Sequence, residues 1–207
     1  MAVTINGSGT ITGISVGGLP DGIVDTDMLA SNAVATAKLH DDAITSAKMP
    51  AGSVLQVQVG TNNAQTDAQT TSGTNAYTII SQTITPIATS SKILVMAELY
   101  GDIDGNYNGM GLLLLRDSTE IGLAAANSSV GRFNAVWQTG NNADRVNLAT
   151  IFYLDSPSST SELTYYVKVQ DGNGDGGTYT VNKAHSWTQN SSHCATASHL
   201  ILMEVAG

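Results

Sequence analysis

The run Asp171-Gly-Asn-Gly-Asp-Gly176 sets side-chain oxygens at every second position, on Asp171, Asn173 and Asp175. Alternate oxygens turned toward one point suit a hard cation, so this stretch is a candidate Ca2+ loop. The twelfth position of such a loop wants a bidentate Glu, and Asn182 stands there instead. Asp, Asn and Gly are also ordinary turn formers, so a plain turn is the competing reading. Asp102-Ile-Asp104-Gly-Asn106 is a weaker case of the same pattern. The histidines His40, His185, His193 and His199, with Cys194 beside His193, lack the ligand spacing of a zinc site, and no orienting partner marks a catalytic dyad. Glycoside hydrolysis would need two carboxylates flanking a bond. The candidates Asp102, Asp104, Asp144, Asp171 and Asp175 all fall in apparent turns, so no catalytic residue is assigned and the chain reads as a non-enzyme. Tyrosine rings in polar loops can stack on sugar C–H groups while the hydroxyl hydrogen-bonds. On that basis Tyr107 with Asn106, and Tyr179 with Asn173, are candidate receptor-binding residues. Trp137, Trp187, Tyr153 and Tyr165 read as core or interface.

Strands must position these groups. From residue 54 onward short apolar or alternating runs are divided by Gly, Asp, Asn and Pro clusters. The expected strands are Val54–Val59, Tyr77–Thr85, Lys92–Tyr100, Gly111–Arg116, Glu120–Ala125, Arg132–Trp137, Val146–Leu154, Leu163–Gln170, Tyr179–Val181 with His185–Trp187, and His199–Val205. Residues 61–75 read as a loop. About ten strands without an intervening helix predict a mainly β fold, a sandwich or jelly roll over residues 54–207. Lys92–Leu99 and Leu200–Val205 are almost continuously apolar, whereas a strand with one face in water should alternate. Their second face therefore needs a cover, and neighbouring copies of the same sheet would supply it.

The first 50 residues follow another rule. Gly22–Leu29, Asn32–Leu39 and Asp42–Met49 repeat with a ten-residue period that aligns Val24/Val34/Ile44 and Leu29/Leu39/Met49. Each unit carries too few apolar side chains to make a core within one chain. Three chains around one axis would bury Val24, Leu29, Val34, Leu39, Ile44 and Met49 against one another. Each unit reads as an extended piece followed by about one helical turn capped by Thr26, Thr36 or Ser46. A continuous amphipathic helix over residues 25–49 is the alternative. Pro50-Ala-Gly-Ser53 reads as a joint between arm and head.

Composition limits the partners. Only 12% of the 207 residues are charged, well under the usual quarter, and 42% are hydrophobic. The net charge of -9 provides no basic footprint, so neither nucleic acid nor an anionic membrane surface is expected as a partner. No run reaches the roughly 20 apolar residues of a membrane span, and no membrane insertion is expected. The single cysteine, Cys194, can form no intrachain disulfide, which favours oligomerisation as the stabilising device. The opening Met-Ala-Val-Thr-Ile-Asn-Gly shows no export signal, consistent with release by lysis.

The segment Gly18–Ala30 and the following Ala-Val-Ala-Thr-Ala-Lys-Leu and Ala-Ile-Thr-Ser-Ala-Lys-Met units resemble the shaft repeats of tail fibres of tailed bacteriophages, including phages of marine bacteria and cyanobacteria. Ile84–Ala97 and Ser198–Gly207 are similar to segments of fibre-tip domains. Those tips are similar in pattern to the trimeric jelly roll of the tumour-necrosis-factor and complement type. The resemblance touches about half the chain. It implies a virion-attachment segment over residues 1–20, a shaft over 21–53 that intertwines in a homotrimer, and a jelly-roll head over 54–207. It further implies a structural virion protein, held through the arm by a tail or capsid protein. Such a protein is assembled in the host cytoplasm and adheres to a host-surface glycan or protein. A capsid decoration spike or tail connector without a receptor site is the alternative. No cofactor is expected apart from the candidate Ca2+.

Overall fold

In a computed structural model of the chain, the structure describes residues 4–5, 11–12, 29, 31, 33–35, 39–40, 43–71, 75–103, 110–126, 131–137, 146–172, 176–184 and 194–207. Two units divide the chain, Met1–Thr45 and Ser46–Gly207. The first holds an antiparallel pair, β1 (Thr4–Ile5) and β2 (Ile11–Thr12), with Thr4 opposite Thr12 and Ile5 opposite Ile11. Further along, the Ala43 N–H donates to the His40 carbonyl at 3.0 Å and closes a local turn.

The second unit opens on a single 3-10 turn, Ser46–Lys48, closed by Met49 N–H on the Ser46 carbonyl at 3.1 Å. Among the described residues of 25–49 this is the only helical turn. The expected helical turn of that unit is thus present at Ser46–Lys48, preceded by a bend at Ile44. Pro50–Ser53 is pinned: Gly52 N–H donates to the Ala206 carbonyl and Ala206 N–H to the Ser53 carbonyl, both at 2.8 Å. Gly52 takes φ +90°, the left-handed region that glycine enters without a side-chain clash.

Ten strands follow: β3 (Val54–Asn62), β4 (Thr66–Thr70), β5 (Ala76–Ile84), β6 (Lys92–Ile103), β7 (Met110–Arg116), β8 (Thr119–Glu120), β9 (Asn147–Asp155), β10 (Leu163–Asp171), β11 (Thr178–Val181) and β12 (Ser198–Val205). They form two antiparallel sheets. In the first, β6 pairs with β9 along one edge and with β12 and then β11 along the other; β3 flanks β12 and β4 flanks β11. The second runs β5-β10-β7-β8. Alternation sends Ile93, Val95, Ala97, Leu99, Leu200 and Leu202 of the first sheet inward. There they meet Leu112, Leu114, Tyr165, Val167 and Val169 of the second in one buried cluster. A register shift between Val167 and Lys168 leaves Ile79 of β5 without an opposite residue, so the adjacent Ile79 and Ile80 are both buried.

Three expected elements differ. The expected loop 61–75 contains β4, because pairing with β11 draws the polar run Thr66–Thr70 into a strand. The strand expected over Glu120–Ala125 is confined to Thr119–Glu120. Arg132–Trp137 is no strand either; one bridge, Leu112 to Ala135, ties it down. This segment crosses the outside of β7, with the Phe133 ring against Gly111, where an added Cβ would lie 2.2 Å from the ring. Asn134 accepts the Leu114 N–H at 2.7 Å and donates to the Ile121 carbonyl at 2.9 Å, standing in for strand partners that β7 lacks on that side.

Candidate interaction surface

The pairing registers define the outward face of the first sheet row by row. Val57, Met203, Leu94 and Leu154 stand side by side across β3, β12, β6 and β9. In the next row stand Val59, Ile201, Met96 and Phe152. A polar row follows, Thr61, His199, Glu98 and Thr150, with the His199 Nδ1 and Thr61 Oγ1 3.3 Å apart. Lys92, beside Val205, bounds the opposite end. The rows are bare at their two flanks, where Phe152 is 68% exposed, Val59 56%, Leu154 49% and Val57 47%, while Met203, Leu94, Ile201 and Met96 between them are partly buried. Soluble sheets that face water on one side normally put polar residues there, so eight adjoining apolar side chains are a departure that needs a cause. A hollow of about 310 Å³ opens in this face, lined by Met96, Ala97, Glu98, Phe152, His199 and Ile201.

The titratable groups inside the head are structural. Asp155 joins the two sheets: Arg116 Nη1 donates to both its oxygens at 2.8 and 2.7 Å, and the Tyr165 hydroxyl donates to Oδ2 at 2.6 Å. Ser156 N–H completes its shell at 2.9 Å. Burial raises the Tyr165 phenol well above its ordinary pKa, and the neighbouring Asp155 carboxylate adds to the shift. Glu204, fully buried, accepts the Ile87 N–H at 2.7 Å and Gln56 Nε2 at 2.6 Å, which anchors the 85–91 connection to the end of the sheet.

Asp171 is 1% exposed, and its Oδ2 accepts the N–H groups of Gly176 at 2.9 Å and Gly177 at 3.4 Å. Asp171 thus accepts from the backbone at the end of the run and just beyond it, as Asp in turns does. Asn173 and Asp175 lie outside the described residues. Asn182, where a calcium loop would carry Glu, is fully buried at φ +61°. Its amide donates to the Asn62 and Ala64 carbonyls at 2.8 and 2.9 Å, and its oxygen accepts the Ser198 hydroxyl at 2.7 Å. Asp102 is likewise engaged, accepting its neighbour Ile103 N–H at 2.9 Å and Asn147 Nδ2 at 3.2 Å. Asp104 and Asp144 lie outside the described residues. Among the described residues no three His, Cys, Asp or Glu side chains gather around a point that could hold a metal ion. Nor is any described helix long and apolar enough to cross a membrane.

Tyr179, read from its sequence neighbours as a sugar-stacking ring, is corrected by its burial. It is 6% exposed and packs beside Tyr77 with ring centroids 6.4 Å apart. Pairing with Ile103 of β6 turns the side chain into the core, and desolvation, with the Tyr77 phenol adding to it, raises its pKa. Tyr107 and Asn106 lie outside the described residues, as do Val24, Trp187, His185 and His193. The remaining repeat positions are exposed in the single chain: Leu29, Val34, Leu39, Ile44 and Met49 at 37–56%. Trp137 and Tyr165 are buried, the indole N–H donating to the Leu99 carbonyl at 2.9 Å.

Sequence reasoning marked the β6 and β12 contributions to the apolar face but missed Phe152, Leu154, Val57 and Val59. Their signal was present as period-two alternation in β3 and β9, but alternation alone does not say which face is inward. No protein-family model matches the chain, and no curated protein sequence matches it. What the fold and surface define is a mainly β head, built around its own core, with one outward sheet face left apolar.

Proposed function

We propose that this chain is a structural fibre protein of a tailed-phage virion, a homotrimer whose head mediates adhesion to the host surface. The observation that carries the reading is the bare ten-residue repeat. Leu29, Val34, Leu39, Ile44 and Met49 recur at fixed spacing, and one chain leaves all five exposed. Repeated apolar positions that a chain cannot bury alone are buried by parallel copies. Residues 1–20 would attach to a tail or capsid protein, and residues 21–53 would braid into the shaft.

The head is read as a jelly roll. Eight of its strands run β3-β12-β6-β9 in one sheet and β5-β10-β7-β8 in the other, an order in which successive strands of the eight change sheet at every step except the β7–β8 hairpin, as in two nested Greek keys. Its ends differ in a way that favours adhesion at the tip. The chain enters at Ser53 beside Ala206, at one end of β12. The ends of β6 and β10, and the starts of β5, β7, β9 and β11, gather at the opposite end. Loops presented there by three subunits would bind a neutral glycan or protein multivalently, without needing one strong site. The net charge of -9 disfavours an anionic receptor.

Light scattering on the full-length protein tests the assembly, with an expected mass three times the 21.4 kDa chain. A monodisperse monomer would overturn the fibre reading. Antibody raised to the head should decorate intact virions at fibre tips; labelling confined to the capsid shell would point to a decoration spike.

A further inference from the structure

We propose that the outward face of β10, from Tyr166 to the Phe133 ring, is a glycan-binding site, and that its ligand is a neutral, polyhydroxylated sugar chain lying along the strand. Such a site deepens the adhesion reading, and rests on it for its biological sense. It places recognition on the side of the head, in the second sheet, and not in the tip loops.

Alternation along β10 turns Tyr165, Val167 and Val169 into the core and leaves Thr164, Tyr166, Lys168 and Gln170 on the other face. The pairing registers set their neighbours. Ser81 of β5 and Leu115 of β7 flank Tyr166, and Thr78 and Leu113 flank Lys168. Gln170 stands beside Gly111, on which the Phe133 ring is seated. At about 3.4 Å per residue, the step from Tyr166 to Gln170 is roughly 14 Å, enough for a short run of sugar units. One border of this strip is hydroxylic, with Thr78, Ser81 and Thr83 of β5 all exposed. The other is the 131–137 segment, which crosses the outside of β7.

Ring and donor are held together here, and neither polar head is committed to the protein. Tyr165, one residue earlier, gives its hydroxyl to Asp155, whereas the Tyr166 hydroxyl has no hydrogen-bond partner among the described residues. Lys168 forms no ion pair among them, and its ammonium lies 5.2 Å from the Tyr166 ring centroid. A sugar offers the complement: a C–H face for the ring, and hydroxyl oxygens that accept from the ammonium. A protein partner fits less well. None of the bare large hydrophobic side chains of the head lies on β5 or β10, so the apolar centre of a protein interface is missing. One unpaired ammonium in a chain of net charge -9 is no footprint for a polyanion, which selects a neutral chain over an acidic one.

The test is affinity electrophoresis of the full-length protein through native gels containing dextran, mannan, galactan or laminarin, with alginate as the acidic counterpart. At least one neutral polymer should retard the protein. Tyr166→Ala and Lys168→Ala should each weaken that retardation at least fivefold, while Thr150→Ala, exposed on β9 of the other sheet, leaves it unchanged. Both β10 side chains lie outside the core, so the urea midpoint should stay in place and a loss of retardation reports on binding. Retardation that survives both changes would overturn this face as the site, while leaving glycan adhesion through the loops intact. Retardation by alginate alone would overturn the neutral ligand. No retardation by any of the polymers would overturn the glycan site, whereas the fibre reading itself falls only to a monomeric mass or to the virion labelling.

Discussion

On the β5–β10 side of the head the outward side chains include Thr78, Ser81, Thr83, Thr164, Tyr166, Lys168 and Gln170, and Lys168 Nζ lies 5.2 Å from the Tyr166 ring centroid. The outward positions of β7 in the same sheet are not left bare: Leu113 is 1% and Leu115 7% exposed, and the Phe133 ring of the 131–137 segment lies against Gly111. The first sheet uses the same alternation but sets Val, Leu, Met, Ile and Phe outward, and Val57, Val59, Phe152 and Leu154 stay 47–68% exposed there. One sheet is finished within the chain, by hydroxyls where it meets water and by a crossing segment where it does not. The other is finished only if something else covers it. An antiparallel pair needs one buried face to fix its register, so the second face is free to be specialised. Here it is specialised differently on the two sides.

The comparison can be broken by loosening the joint between the sheets. Asp155→Ala leaves Arg116 and the Tyr165 hydroxyl without their shared acceptor, and should cost about 2–4 kcal/mol, since Asp155 is buried although Arg116 is partly exposed. Urea unfolding should show the lower midpoint; an unchanged midpoint would mean that packing alone holds the sheets together.

The finished side is tested by Phe133→Ala, which strips the ring from Gly111 and uncovers β7. A loss of roughly 2–3 kcal/mol is expected, below that of a fully buried ring because Phe133 is only partly buried. A near-neutral result would show that the segment is held by Asn134 and the Ala135 bridge rather than by its ring.

The smallest expected effect sharpens the comparison most. Phe152→Ser should change the unfolding free energy of the isolated chain by less than about 0.5 kcal/mol, because the ring contributes little to the core. A cost above about 1 kcal/mol would mean that Phe152 supports its own fold, and the bare face would lose its claim to be held for a partner copy.

Much of this was legible in the chain. Alternation in Val54–Val59, turn clusters at Asp155–Ser158 and Asp171–Gly177, and the lack of helix-length periodicity mark a mainly β head, because side chains alternate across a strand whatever lies beside it. The ten-residue repeat was visible for the same local reason. Contacts between distant segments were not. The polar run Thr66–Thr70 is a strand only because β11 lies beside it, and Arg132–Trp137 gives up its strand pattern because β7 needs a cover. Tyr179 has the neighbours of a loop residue and the burial of a core one, since pairing with β6 decides which way it points. Asp171 has the right chemistry for a cation, but spacing alone did not show that its Oδ2 accepts the Gly176 N–H. By itself, then, the sequence determined which residues alternate, where the chain turns and which apolar positions recur. Only the tertiary structure decided which of two equally spaced faces is inward and which carboxylates are already engaged. Those depend on what the rest of the chain brings within hydrogen-bonding and van der Waals reach, and local spacing carries no record of it.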